Sequence, residues 1–197
     1  DGLSKPAQVA DICSELGYDT CAVTDHGTIS GAISFVRAMK DKNIKPILGC
    51  EFYLSEQPCN IRDKSNRSLS HLVVLAKNKK GWDKLIQATS RSNDDDLFYF
   101  KPRLDLDLLE NYCDGSLISF SGHMGSDLAN VLFTNHKDGY NAATYEEAAA
   151  ALNPDWKKKA VRLAEKYREI FGIDNFFIEI QLIDKDNAPP TILIAEC

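Results

Sequence analysis

Short apolar runs alternate with amphipathic helical stretches along this chain, which predicts an α/β fold with a mainly parallel sheet. Two further observations support that class. Polar, metal-competent residues recur just past the ends of the apolar runs, where parallel strands converge on a site. The hydrophobic fraction, 44% of 197 residues, is enough for a real core and fits one domain better than two. An open doubly wound sheet and a closed barrel both satisfy this pattern.

The elements follow in order. Ser4 is placed to cap a helix whose Val9, Ile12, Cys13 and Leu16 share a face, and Gly17 ends it. Residues 20–24 form a buried strand. A second helix spans 31–42 with Ala32, Phe35, Val36 and Met39 inward. Residues 46–54 and 71–76 are strands, and 81–89 is a helix with Trp82, Leu85, Ile86 and Thr89 on one face. A strand at 117–120 precedes a helix at 126–133. The clearest helix is 155–171, striped by Trp156, Ala160, Leu163, Ala164, Tyr167 and Phe171. A strand over 176–182 follows. Residues 55–70 and 90–102 are long loops; such loops are often functional, although the run Asp94-Asp95-Asp96 equally suits a solvated surface.

Composition narrows the function. The net charge is −6. Nucleic-acid-binding domains are usually basic, so a broad DNA-binding face is disfavoured, whereas a compact metal site acting on a phosphate end needs none. No apolar run approaches the roughly 20 residues of a membrane span, and the first residues lack a signal-peptide pattern. The six cysteines form no C-x-x-C pair. That gives no support to zinc-ribbon or thioredoxin chemistry and suits a reducing, cytoplasmic setting.

The candidate chemistry lies past the strands. Residues 21–24 lead into Asp25-His26-Gly27, residues 46–50 into Glu51, and residues 117–120 into Ser121-Gly122-His123. Histidine with carboxylate suits Zn²⁺, Mn²⁺ or Fe. Asp25 is either a ligand or the group that orients His26. Glu51 taken alone equally fits a strand-end surface carboxylate. His71 begins its strand, so in a strictly parallel sheet it faces the wrong rim. It joins the site only if that strand is short, tilted or antiparallel.

Seven blocks, in order, resemble the PHP domain of bacterial or phage DNA polymerase III alpha subunits. They are residues 1–6, 22–27, 45–51, 71–78 with Gly81, 98–103, 119–123 and 177–181. The resemblance implies a distorted TIM-like barrel, with divalent metals (Zn, Mn or Fe, up to three) held by Asp1, His26, Glu51, His71 and His123. His26 and Glu51 are the implied catalytic pair. His123 departs from the polymerase pattern, which usually has Cys there, but other PHP enzymes have His. The family's N-terminal His-x-His pair and its late Asp and His are absent, so residues 1–197 are expected to be a fragment of the domain. A TIM-like barrel usually needs about 250 residues. Lys101 and Arg103 either contact substrate phosphate or lie on a solvated surface. The implied partners are DNA through the parent polymerase, a proofreading exonuclease subunit and other replisome subunits. The implied activity is metal-dependent phosphoester hydrolysis, with a docking scaffold or a stand-alone phosphatase of small phosphate esters as alternatives.

Overall fold

The computed structural model describes residues 3–179, 181 and 188–197. The elements run α1 (Pro6–Glu15), β1 (Thr20–Val23), α2 (Ala32–Asp41), β2 (Lys45–Ser55), β3 (Leu69–Ala76), α3 (Lys79–Ser92) and α4 (Leu106–Glu110). They continue with β4 (Leu117–Phe120), α5 (Asp127–Leu132), α6 (His136–Tyr140), α7 (Tyr145–Ala150), α8 (Trp156–Phe171), β5 (Phe176–Phe177) and α9 (Ala188–Glu196). The expected strand over 176–182 is realised at Phe176–Phe177; Ile180 and Leu182 lie outside the described residues.

The class is mixed α/β, with strands in the order β1-β2-β3-β4-β5. β1 pairs parallel with β2, and β4 parallel with β5, but β3 is antiparallel to both its neighbours. Four of the five strands thus share one direction, so the sheet is mostly parallel as expected, with β3 as the reversed strand. β2 and β3 are joined by a loop without the crossover helix that a parallel pair requires, so they fold back as a hairpin. β1, β2 and β4 still point the same way. Among the described residues the sheet is open, with β1 and β5 at its edges. Five strands are fewer than the eight that close a filled barrel.

The main core lies on one face of the hairpin. Phe52, Leu54, Leu72 and Val74 pack there against Leu85 of α3 and Tyr167 and Phe171 of α8. The α8 stripe is thus realised as its 3.6-residue period requires. α1 differs from expectation. Its N-cap is Lys5, whose N–H donates to Gln8 Oε1 at 2.8 Å. Pro6 at the first helical position sets that start. Its buried face is Ala10 and Cys13, against Phe35 and Met39 of α2, while Ile12 and Leu16 are exposed. Gly17 does end the helix: with φ at +75° it lets Tyr18 N–H reach Cys13 O at 2.8 Å.

Close packing of α3 on the sheet depends on Gly81. A Cβ there would fall 2.2 Å from the Ser116 carbonyl oxygen, which is backbone and cannot turn aside. Gly81→Ala is therefore expected to destabilise the chain by about 1–3 kcal/mol, the usual cost of overpacking. A denaturant midpoint lowered without a change of slope is the expected readout.

Candidate metal centre

Glu51 stands on β2, where strand alternation puts it on the face opposite the main core, together with Tyr53. The turn after β1 is fixed against it by backbone bonds: Glu51 N–H donates to Asp25 O at 3.0 Å, and Gly27 N–H to Glu51 O at 2.8 Å. These bring His26 beside Glu51. β3 being antiparallel, His71 pairs across from Tyr53 and its ring lies on the Glu51 face. The antiparallel condition stated for His71 is thus met. His123 follows β4, and Gly125 N–H donates to its Nδ1 at 2.9 Å, which points Nε2 inward.

The three imidazoles meet on one carboxylate. His26 Nδ1 is 3.0 Å from Glu51 Oε2, His71 Nδ1 is 2.5 Å from Oε1, and His123 Nε2 is 3.2 Å from Oε1. Glu51 is only 8% exposed. Burial alone would push its carboxyl up. Hydrogen bonds from His123 and His71, with the charge of His26, outweigh burial and bring it down to about 2. Glu51 is thus anionic throughout the ordinary pH range. Ligand atoms of His26, Glu51 and His71 all lie within 4.8 Å of one another. Borderline nitrogen donors with one anionic oxygen fit a divalent first-row ion. Beside the cluster opens a cavity of about 350 Å³, lined by His26, His123, Ser121, Tyr140, Glu179 and Gln181 among others.

The remaining candidates are placed differently. Asp1 lies outside the described residues. Asp25 is exposed, and its Oδ2 is 2.7 Å from the point a Cβ on Gly31 would occupy. Lys101 is exposed near the site; its Nζ donates to Tyr53 Oη at 2.9 Å. Arg103 is buried, at 1% exposure. It donates to Asn66 O at 2.7 Å and to Tyr99 O, and its guanidinium lies 5.0 Å from the Tyr99 ring centroid. The solvated surface expected as its alternative role is excluded by that burial. Sequence reasoning passed over Tyr53, whose ring centroid is 5.0 Å from that of His71 and 6.1 Å from that of His26. Its place two residues after Glu51 on a strand was the available signal.

The chain belongs to the PHP domain family, which its residues 1–182 match. It is similar to DNA polymerase III subunit alpha of Treponema pallidum (strain Nichols), with 31% identity over 204 residues, covering all of this chain and 15% of that protein. It is also similar to DNA polymerase III subunit alpha of Helicobacter pylori (strain J99), with 34% identity over 182 residues, 91% of this chain and 14% of that protein. The chain therefore spans about one-seventh of the length of these curated relatives. A crystal structure from Bifidobacterium adolescentis, provisionally titled a metal-dependent phosphoesterase, aligns with a TM-score of 0.45 and 11% identity over 100% of this chain and 79% of its own.

Proposed function

We propose that this PHP domain is part of a DNA polymerase III alpha subunit, and that its Glu51 cluster is a metal centre hydrolysing phosphodiesters at a DNA 3′ end. The observation that carries the reading is the convergence of His26, His71 and His123 on Glu51. Divalent ions held by His26, Glu51, His71 and His123 (Zn, Mn or Fe, up to three in the complete domain) would lower the pKa of bound water and offset charge developing on a phosphodiester.

The chain's own residues make that possible. Glu51, anionic and shielded from water, anchors the centre, and His26 completes the catalytic pair from the turn after β1. His71 on β3 and His123 past β4 supply nitrogen ligands, with Asp1 as an additional ligand. The cavity past His26 and His123 gives a phosphate room to approach. Lys101 is the phosphate contact. Arg103 holds the loop that presents Lys101, since its donors go to backbone carbonyls. In the longer parent the sheet closes into the distorted TIM-like barrel with strands beyond those described. The parent works in the cytoplasm on DNA, with a proofreading exonuclease subunit and other replisome subunits as partners. Among the described residues no helix is long and apolar enough to cross a membrane.

The test is release of nucleotides from a labelled DNA 3′ end by the parent protein, with metal restored after chelation. His26→Ala should lower the rate by at least the roughly 10–100-fold that losing even an outer partner of a metal costs. Its folding should be unaffected, because His26 lies past the strand. Activity unchanged in His26→Ala, or after chelation, would move the chemistry elsewhere.

A further inference from the structure

Beside the cluster, residues 98–102 form an exposed aromatic and basic lip to which the hydrolytic reading gives no role beyond Lys101. Phe100 is 66% exposed, and its φ is +61°. A bulky residue rarely adopts that left-handed conformation, and such strain persists where the surroundings impose it, often at functional sites. The backbone thus holds an apolar ring out in solvent. Arg67 lies over that ring, its guanidinium carbon 4.3 Å from the centroid, and Tyr99 packs edge-on at 4.7 Å. The next residue, Lys101, places Nζ 4.5 Å from the Tyr53 ring centroid. Tyr53 in turn borders His71 and His26. The loop can lie this close because residue 27 is glycine. A Cβ there would fall 2.5 Å from Pro102 Cγ.

We infer that this lip binds single-stranded nucleic acid. Phe100 and Arg67 stack a base, and Lys101 with Tyr53 receives the phosphate that leads into the cluster. The direction of the strand rests on the phosphodiesterase reading; the binding does not. The exposed Phe100 ring carries Arg67, and the exposed Lys101 ammonium is braced on the buried Tyr53 ring, a stacking surface beside a cation that matches base and phosphate along a strand. A protein-docking patch would also use Phe and Arg but is depleted of Lys, so it is Lys101 beside them that favours a phosphate-bearing strand. The chain's net charge of −6 limits the footprint to a few nucleotides. The nearby acidic run is partly neutralised: Arg91 pairs with Asp94 at 3.0 Å and with Asp96 at 2.6 Å. A small phosphate ester has no base to stack, so the lip selects for a nucleic-acid strand.

The experiment measures binding of a fluorescent six-nucleotide DNA single strand to the 197-residue chain, with chelator present throughout. Absence of hydrolysis then has no bearing on the result. Phe100→Gly removes the ring while suiting the positive φ, so it should fold at least as well. It should weaken binding by roughly tenfold, as loss of one stacked base does. Phe100→Trp should retain binding, and 2-aminopurine placed near the 3′ end should be quenched by the unaltered chain but not by Phe100→Gly. Lys101→Met should reduce the salt dependence by about one phosphate contact. Equal affinity in Phe100→Gly, or equally tight binding of an abasic strand, would overturn the inference. A protein segment that binds the lip and is lost in Phe100→Gly, while DNA affinity is unchanged, would overturn the choice of partner.

Discussion

Glu51→Gln is expected to abolish tight binding of Zn²⁺ or Mn²⁺ while leaving the chain folded. The carboxylate is the common partner of His26, His71 and His123. Glutamine keeps its shape and one oxygen but removes the negative charge that offsets the ion. The loss should exceed the roughly 10–100-fold typical of removing an outer hydrogen-bond partner of a metal ligand. The fold should survive, because Glu51 lies on the face opposite the main core and the strand pairing of β2 uses its backbone alone. Titration with a competing chromophoric chelator reads the affinity, and circular dichroism reads the fold. Unchanged affinity with intact structure would remove Glu51 from the ligand set.

Arg103→Ala is expected to be the most damaging change in the 98–103 block. Its side chain is among the largest fully buried in the described protein, and no carboxylate accompanies it. Truncation leaves a cavity and strips donors from the carbonyls of Asn66 and Tyr99. The combined cost should be about 3–5 kcal/mol, partly offset because a desolvated charge is also removed. Arg103→Lys should recover only part of this, since a point ammonium cannot reproduce the planar fork. Lys101→Ala, two residues away and exposed, should stay within about 0.5 kcal/mol of the parent chain. Denaturant unfolding of the three variants distinguishes them. Similar small losses in all three would show that Arg103 does not hold the loop.

These neighbours also mark how far the sequence could be read. Lys101 and Arg103 are chemically alike and adjacent in the pattern, and nothing local says which is buried. That depends on the Asn66 carbonyl, which comes from a distant loop. His26 and His123 were legible because each follows an apolar strand, and strand ends sharing a direction gather on one rim; Glu51 was legible from the apolar run before it, although it lies within β2. His71 was legible only conditionally, since strand direction is a property of pairing and not of local sequence. The hairpin that reverses β3 was missed for that reason. The helix periods at α2 and α8 were strong because many apolar residues repeat them. α1 shifted its buried face toward Ala10 because packing against Phe35 and Met39 favoured a small residue over Ile12. The short helices α4, α6 and α7 each span five or six residues, too few to register a period.

The metal centre proposed at the Glu51 cluster is built from imidazole and carboxylate. X-ray absorption at the edge of the added metal, on the 197-residue chain loaded with one equivalent of Zn²⁺, tests it most directly. The expected spectrum has a first shell of nitrogen and oxygen at about 2.0–2.2 Å, the outer-shell scattering of imidazole rings, and a reduced imidazole contribution in His71→Ala. A shell containing sulfur, or one without imidazole scattering, would place the ion on other residues and rule out the Glu51 cluster as its site.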